Sequence, residues 1–207
     1  MARLMSQEDL RARRSVRFRV TTDSRNTSRV HANVLARDFA VGTANRAWAG
    51  DITYLWTQEG WLYLAVVLDV GTRRVLGWSL RETLEAALVT GALDMALGRR
   101  PAHTGLICHS DRGSQYGSDE VQAMLVRFQL RGSMSRKGDC WDNAVVESFF
   151  ASLKTELVTE VRWATRAEAK SVVVEWIEGW YNRTRMHSTL SYLSPAEFEG
   201  QLAAKTQ

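Results

Sequence analysis

A mixed five-stranded α/β sheet flanked by helices, with additional helices at the C-terminal end, is the fold class predicted by this 207-residue sequence. Three observations predict it. Three apolar runs follow one another between residues 51 and 80 through tight connections, short apolar runs then alternate with helical stripes up to residue 157, and the chain ends on segments of helical period.

The meander reads DITYLW at 51–56, the turn QEG, WLYLAVVLDV at 61–70, the turn GTRR and VLGWSL at 75–80. The middle run is apolar on both faces, as befits a central strand covered from both sides. Residues 83–97 follow as a helix closed by Gly98. After the break at Arg99, Arg100 and Pro101, residues 105–109 form a fourth strand. Ser118 caps the next helix, with Asp119 and Glu120 in its first turn and Val121, Met124, Leu125 and Phe128 as its apolar stripe. A short fifth strand is expected at 129–132, then the polar loop SMSRKGDCW, then a helix over 142–157 with Val146, Phe149, Phe150, Leu153 and Leu157 on one side. In the tail, Thr165 with Glu168 and Ser194 with Glu197 have capping-box spacing. Ala169, Val172, Val173, Trp176, Ile177, Trp180 and Tyr181 form a stripe that needs a packing partner.

Composition narrows the function classes. The longest apolar stretch, 61–70, is too short to cross a bilayer and carries Asp69, and the opening MARLMSQEDLRARR has no apolar segment of the kind that directs secretion. The reading is a cytoplasmic protein with no membrane partner. Cys108 and Cys140 are the only cysteines and form no CxxC pair, which leaves a disulfide framework or a thiolate zinc site without support. Residues 1–50 hold ten Arg against four acids, whereas the remainder is slightly acidic. A basic leader on a near-neutral body fits either a polyanionic partner such as nucleic acid or a solubilising arm.

Three acids stand beside apolar sequence: Asp51 opens the first strand, Asp111 ends the fourth, and Glu147 lies on the polar side of the helix after the irregular loop. Singly, each reads as a solvated surface group. Together they read differently, because adjacent strands would bring Asp51 and Asp111 to one place, where like charges repel unless a cation is bound. Hard divalent ions suit such oxygen ligands, Mg²⁺ above all or Mn²⁺, and two of them about 4 Å apart support in-line phosphoryl displacement without a protein nucleophile. In keeping with this, the sequence has no GxSxG, GxxxxGK or HExxH motif. Lys154 lies two helical turns after Glu147 and Asn143 one turn before it, so a cation able to hold a DNA phosphate shares that face.

With DITYLW, HSDRGSQYGS, SMSRKGDCWDNAVVESFFASLKTEL and YNRTRMHSTLSYLSP in this order, the chain over about residues 47–200 resembles the integrase-core transposases of bacterial insertion sequences. The resemblance is closest to the insertion-sequence-three family, whose catalytic chain is the second of two overlapping reading frames. It implies a ribonuclease H-like catalytic core at 47–160, a basic N-terminal arm or remnant of a DNA-binding region at 1–46, and C-terminal helices at 161–207 packed on the core. It also implies a DDE metal triad at Asp51, Asp111 and Glu147 with two Mg²⁺ ions, DNA 3′-end nicking and strand transfer, and a homo-oligomer that holds two DNA ends.

Lys154 occupies the position of a family lysine that contacts the transposon end. Tyr181, Arg185 and His187, with Asn182, match the family's YNxxRxH pattern and are expected to contact DNA or to pack, and Arg112 is expected at the DNA. His109, Arg112, Ser114 and Gln115 are expected to shape the loop around Asp111, and Asn143 to orient Glu147. Family members have a longer N-terminal region with a helix-turn-helix segment and a partner frame that supplies another. In this chain residues 1–46 resemble only the basic stretch that leads into the core, with Ala32 where the family usually has proline. Two other readings stay open on the residues alone: a ribonuclease H-like nuclease that hydrolyses without joining, and a non-catalytic DNA-binding fragment of a transposase.

Overall fold

The computed structural model describes residues 29–40, 42–137, 139–158 and 161–206, so most of the basic leader lies outside the described residues. Five strands form one sheet: β1 (Ala47–Thr57), β2 (Gly60–Asp69), β3 (Val75–Arg81), β4 (Ile107–Ser110) and β5 (Arg131–Met134). Their order is β3-β2-β1-β4-β5. The meander pairs antiparallel, whereas β4 joins β1 and β5 joins β4 in parallel. The centre of the sheet is therefore β1, and β2 is the interior strand beside it.

Alternation along β1 and β2 splits the core between the two faces. Ala47, Ala49 and Leu55 with Leu62, Leu64, Val66 and Leu68 look toward one layer, and Trp48 with Ala65 and Val67 looks toward the other. On the second face lie α1 (Ala86–Arg99) and α2 (Asp119–Arg127), which contribute Leu88, Ala92, Leu93, Ala96 and Leu125. The contact is close enough to dictate a residue: a Cβ at Gly77 on β3 would lie 2.0 Å from the Ala92 carbonyl oxygen of α1 and 2.7 Å from the Ala96 nitrogen.

On the first face lies α3 (Ala144–Leu153), entered through a 3₁₀ turn at Cys140–Asn143 and left through a π turn at Lys154–Val158. Beside it runs α4 (Arg166–Glu175), continued by a π turn at Trp176–Tyr181, and the chain ends on α5 (Pro195–Thr206). Val146, Phe149, Phe150 and Leu153 share one buried cluster with Trp163, Ala169, Val173, Trp176, Ile177 and Tyr181, which is where the tail's apolar stripe is buried. Glu199 of α5 binds Arg74, Arg100 and Thr72, tying the last helix to the β2–β3 turn.

The caps form as spaced. The Ser118 side chain accepts from the Val121 N–H, Thr165 from the Glu168 N–H, and Ser194 and Glu197 satisfy each other's backbone N–H groups. Several boundaries differ from the sequence reading. β1 begins at Ala47, so Asp51 lies inside the strand and does not open it. Ala47–Gly50 is small and buried on both sides apart from Trp48, which leaves no alternation to read. α1 starts at Ala86 and runs through Gly98, because Arg100, held by Asp69 and Glu199, takes an extended conformation and stops the helix there. β5 starts two residues later than expected, after Gln129 turns with φ 54°. The segment expected as one helix over 142–157 is α-helical only between its 3₁₀ and π turns.

Candidate active site

The parallel pairing of β1 with β4 decides where the first two acids meet. Ala47 pairs with Ile107, Trp48 with Cys108 and Ala49 with His109. That register ends at His109, and carried two residues onward it runs toward Asp51 on β1 and Asp111 just past the end of β4; the charge of Asp111 is felt at Asp51. Asp51 Oδ1 accepts the Ile52 N–H at 2.7 Å, and Asp111 Oδ1 accepts the Gly113 N–H at 2.9 Å. A Cβ at Gly113 would lie 2.9 Å from that Asp111 oxygen, so glycine permits the tight turn.

Glu147 arrives from the first turn of α3 and Lys154 from its C-terminal end. Burial raises the Asp51 carboxyl well above its ordinary range; the charge of Asp111 adds to the rise, Glu147 adds a smaller part, and Lys154 opposes it. Asp51 thus feels the charges of the other three groups. Burial also raises Glu147, and it lowers Lys154, against which the charge of Asp51 works. The Lys154 ammonium sits 5.6 Å from the Tyr54 ring centroid.

Two residues that sequence reasoning missed complete the surroundings. Tyr116 is buried beneath the Asp111 loop, and its hydroxyl is held well above its usual range by burial and then by Asp51 and Asp111. Its oxygen would lie 3.3 Å from a Cβ at Gly50, so a small residue is needed beside Asp51. Asp142 is fully buried at the entrance to α3. It binds Arg37 at 2.8 Å, Arg136 at 2.9 Å and the Arg136 backbone N–H, and these bonds hold its carboxyl far below the carboxylate range. The signal for Tyr116 is its lone aromatic ring among small polar residues. Nothing local marks Asp142, whose partner Arg37 is remote in sequence.

The remaining predicted residues are placed as follows. His109 is fully buried, with Nδ1 2.8 Å from the Ser133 hydroxyl and Nε2 3.2 Å from that of Ser135, and burial pushes it down to about 4. It pins β4 to β5. Arg112 donates to the Ser135 carbonyl at 2.8 Å, and Gln115 to the Leu84 carbonyl at 3.3 Å, while Ser114 is exposed. Asn143 donates to the Gly50 carbonyl at 3.3 Å, so its amide ties α3 to β1 beside Asp51 and does not reach Glu147. Tyr181, Arg185 and His187 gather with one another on the far side of α3. Tyr181 is buried against Phe149 at 4.8 Å, Arg185 binds Glu156 and Ser152 at 2.9 Å each, and the His187 ring lies 5.0 Å from Tyr181.

Among the described residues, no group of three His, Cys, Asp or Glu side chains forms a ready cage for one ion. Mg²⁺ binds through one or two carboxylates and completes its octahedron with water and phosphate oxygens, so Asp51 and Asp111 are the groups that would hold it. The donor set is all oxygen and mutually repulsive, as a hard cation requires. No helix of the described residues is long and apolar enough to cross a membrane.

Residues 43–140 match a family model described as "Integrase core domain", and residues 129–195 match a second model of the same description. Transposase InsF for insertion sequence IS3A of Escherichia coli (strain K12) is 46% identical over 201 residues, which span 97% of this chain and 70% of that protein. The insertion element IS600 uncharacterized 31 kDa protein of Shigella sonnei is 44% identical over 198 residues, 96% of this chain and 73% of that one. Solved retroviral proteins share the fold at low identity. The catalytic core domain of BIV integrase aligns with a TM-score of 0.57 at 17% identity, over 79% of this chain and 99% of that one. The HTLV-2 integrase catalytic core domain in complex with magnesium (trimeric form) aligns with 0.57 at 16%, over 74% and 95%. The simian T-cell lymphotropic virus intasome in complex with PP2A regulatory subunit B56 gamma aligns with 0.62 at 17%, over 83% and 59%. With a ribonuclease H-like mixed sheet and nearly half its residues in common with an IS3 transposase over almost its whole length, the chain belongs to the integrase-core transposases of the IS3 family, a family of polynucleotidyl transferases.

Proposed function

We propose that residues 47–160 are a DDE catalytic core that nicks a transposon end to free a 3′ hydroxyl and joins that hydroxyl to a second DNA strand by direct transesterification. The observation that carries this reading is the parallel β1–β4 pairing, which runs toward both aspartates, together with the charges of Asp111, Glu147 and Lys154 felt at Asp51. Asp51, Asp111 and Glu147 would hold two Mg²⁺ ions, with Mn²⁺ able to replace them; when bound, such ions would activate the attacking oxygen and stabilise the leaving one. Asp51 and Asp111 contribute charge from two rigid strands, and Glu147 contributes it from a helix fastened to β1 through Asn143. Lys154 holds a DNA phosphate next to these acids. In the joining step the 3′ oxygen bonds to phosphorus as the target strand's own 3′ oxygen leaves, so the number of phosphodiester bonds is conserved.

Arg112 fixes the Asp111 loop and lies at the DNA surface, while Tyr181, Arg185 and His187 support or contact DNA from the other side of α3. The working form is a homo-oligomer on two transposon ends and a target, aided by a helix-turn-helix protein from an upstream frame. It acts in the bacterial cytoplasm on nucleoid DNA. The similarity to a magnesium-bound integrase core and to an intasome protein supports this reading. The test is labelled terminal-repeat DNA with Mg²⁺: nicked and joined products are expected from the wild type and neither from Asp111→Asn. Hydrolysis without joining assigns a nuclease, and absence of turnover assigns a non-catalytic DNA-binding fragment.

A further inference from the structure

A cavity of about 210 Å³ opens on the side of α3 away from Glu147. Its wall is built by Arg73 from the β2–β3 turn, Ser148 and Ser152 from α3, and Tyr181, His187 and Thr189 from the tail, with apolar surface from Phe39 and Phe149. Ala144, Val145, Ser148, Phe149 and Ser152 recur at helical spacing, so they share one side of α3, and Glu147 and Lys154 project from another. We propose that this cavity binds a single phosphate group through the Arg73 guanidinium and the surrounding hydroxyls.

The charge of the pocket favours an anion. Arg73 donates to the Phe39 carbonyl at 3.2 Å, and among the described residues it pairs with no carboxylate. Asp69, whose field it feels, is already engaged by Arg100 at 2.6 Å and by the backbone N–H groups of Asn45, Gly71 and Thr72. Arg185 is matched by Glu156 at 2.9 Å. Burial, and then the charges of Arg185 and Arg73, push His187 down to about 4 and keep it uncharged; among the described residues Glu156 is the acid acting on it. The pocket therefore keeps one positive charge without a counter-ion among the described groups.

The lining supplies matching groups. Ser148, Ser152 and Thr189 bring hydroxyls to the same wall as Arg73. A phosphate answers the charge, since it is all acceptor and anionic, and its recognition by a guanidinium is a strong pairing. The exposed Ser148 and Thr189 at the rim leave a path for entry.

None of the carboxylate chemistry enters this pocket, and only its use by DNA rests on the transposase reading. The test is titration of inorganic phosphate into the isotope-labelled full chain at constant ionic strength, read by NMR at the His187 ring and the Ser148 and Ser152 amides. Saturable shifts are expected. Arg73→Gln should weaken the apparent affinity at least ~10-fold, as the loss of one charge-assisted hydrogen bond predicts, and Arg73→Lys should weaken it less. Glu147→Gln should bind phosphate like the wild type, so a loss of strand transfer leaves the pocket standing, and a loss of phosphate binding leaves the catalytic reading standing. A short duplex that shifts His187 and competes with phosphate identifies a DNA phosphodiester as the source; phosphate binding without a duplex effect identifies a free phosphate ligand. Shifts that rise linearly without saturation, or wild-type affinity in Arg73→Gln, overturn the proposal.

Discussion

Replacing Asp51 with asparagine tests the electrostatics of the carboxylate site directly. Burial and the like charge of Asp111 both raise the Asp51 carboxyl. Two like charges roughly 4–6 Å apart repel by about 3–4 kcal/mol at an effective dielectric constant of 20, and taking up a proton relieves part of that at neutral pH. A raised folded-state value means that Asp51 favours folding at low pH and that this contribution disappears as pH rises through the raised value. The amide introduced by Asp51→Asn is neutral at every pH. The metal-free Asp51→Asn protein should therefore melt higher than the wild type at pH 7 and above, by ~1–3 kcal/mol or several degrees for a chain of this size. The two should converge below about pH 4. Mg²⁺ should raise the melting temperature of the wild type and leave that of Asp51→Asn almost unmoved, since the ion stabilises only a state that binds it. Thermal melts with and without EDTA measure both effects. An Asp51→Asn protein that melts lower than metal-free wild type at pH 8 would refute the reasoning.

Three further outcomes are expected. Gly77→Ala drives a methyl group into the backbone of α1, 2.0 Å from the Ala92 carbonyl oxygen, and should cost ~1–3 kcal/mol in urea unfolding. Asp142→Asn removes the charge that gathers Arg37 and Arg136 at the start of α3. Because both arginines are partly exposed, the loss should be ~1–3 kcal/mol at pH 7. It should shrink as the pH falls below about 4, since a depressed carboxyl stabilises the fold only above the unfolded-state value. His109, held neutral at about 4 against an ordinary 6.5, should make the wild type less stable as the pH falls from 6.5 toward 4, by on the order of 3 kcal/mol. His109→Gln should flatten that limb in pH-dependent urea titrations.

The strand and helix succession was legible because its apolar runs are long and bounded by real turns. WLYLAVVLDV could only be an interior strand, and Ser118, Thr165 and Ser194 cap helices because their side chains meet local backbone donors, a short-range property. The candidate acids were legible as acids beside apolar sequence. Their meeting was legible only through the family resemblance, because it depends on β4 lying parallel to β1, a pairing across distant segments that no local pattern encodes. The same reason hid Arg73, which the β2–β3 turn delivers to a cavity walled by α3 and the tail. Asn143 misled in a related way: helical spacing from Glu147 suggested a partner on its own helix, yet its amide bonds across to Gly50. Spacing assigns a residue to a helix face, and the neighbouring element decides what it binds.

Anomalous diffraction from crystals of the full chain soaked in Mn²⁺ tests the central claim most directly, because it locates the cation without reliance on activity. A peak bridging the carboxylates of Asp51 and Asp111 is expected, with a second toward Glu147 once a DNA end is present, and the first should vanish in Asp111→Asn. Strong Mn²⁺ density elsewhere, with Asp51 and Asp111 left unligated at saturating metal, would contradict it.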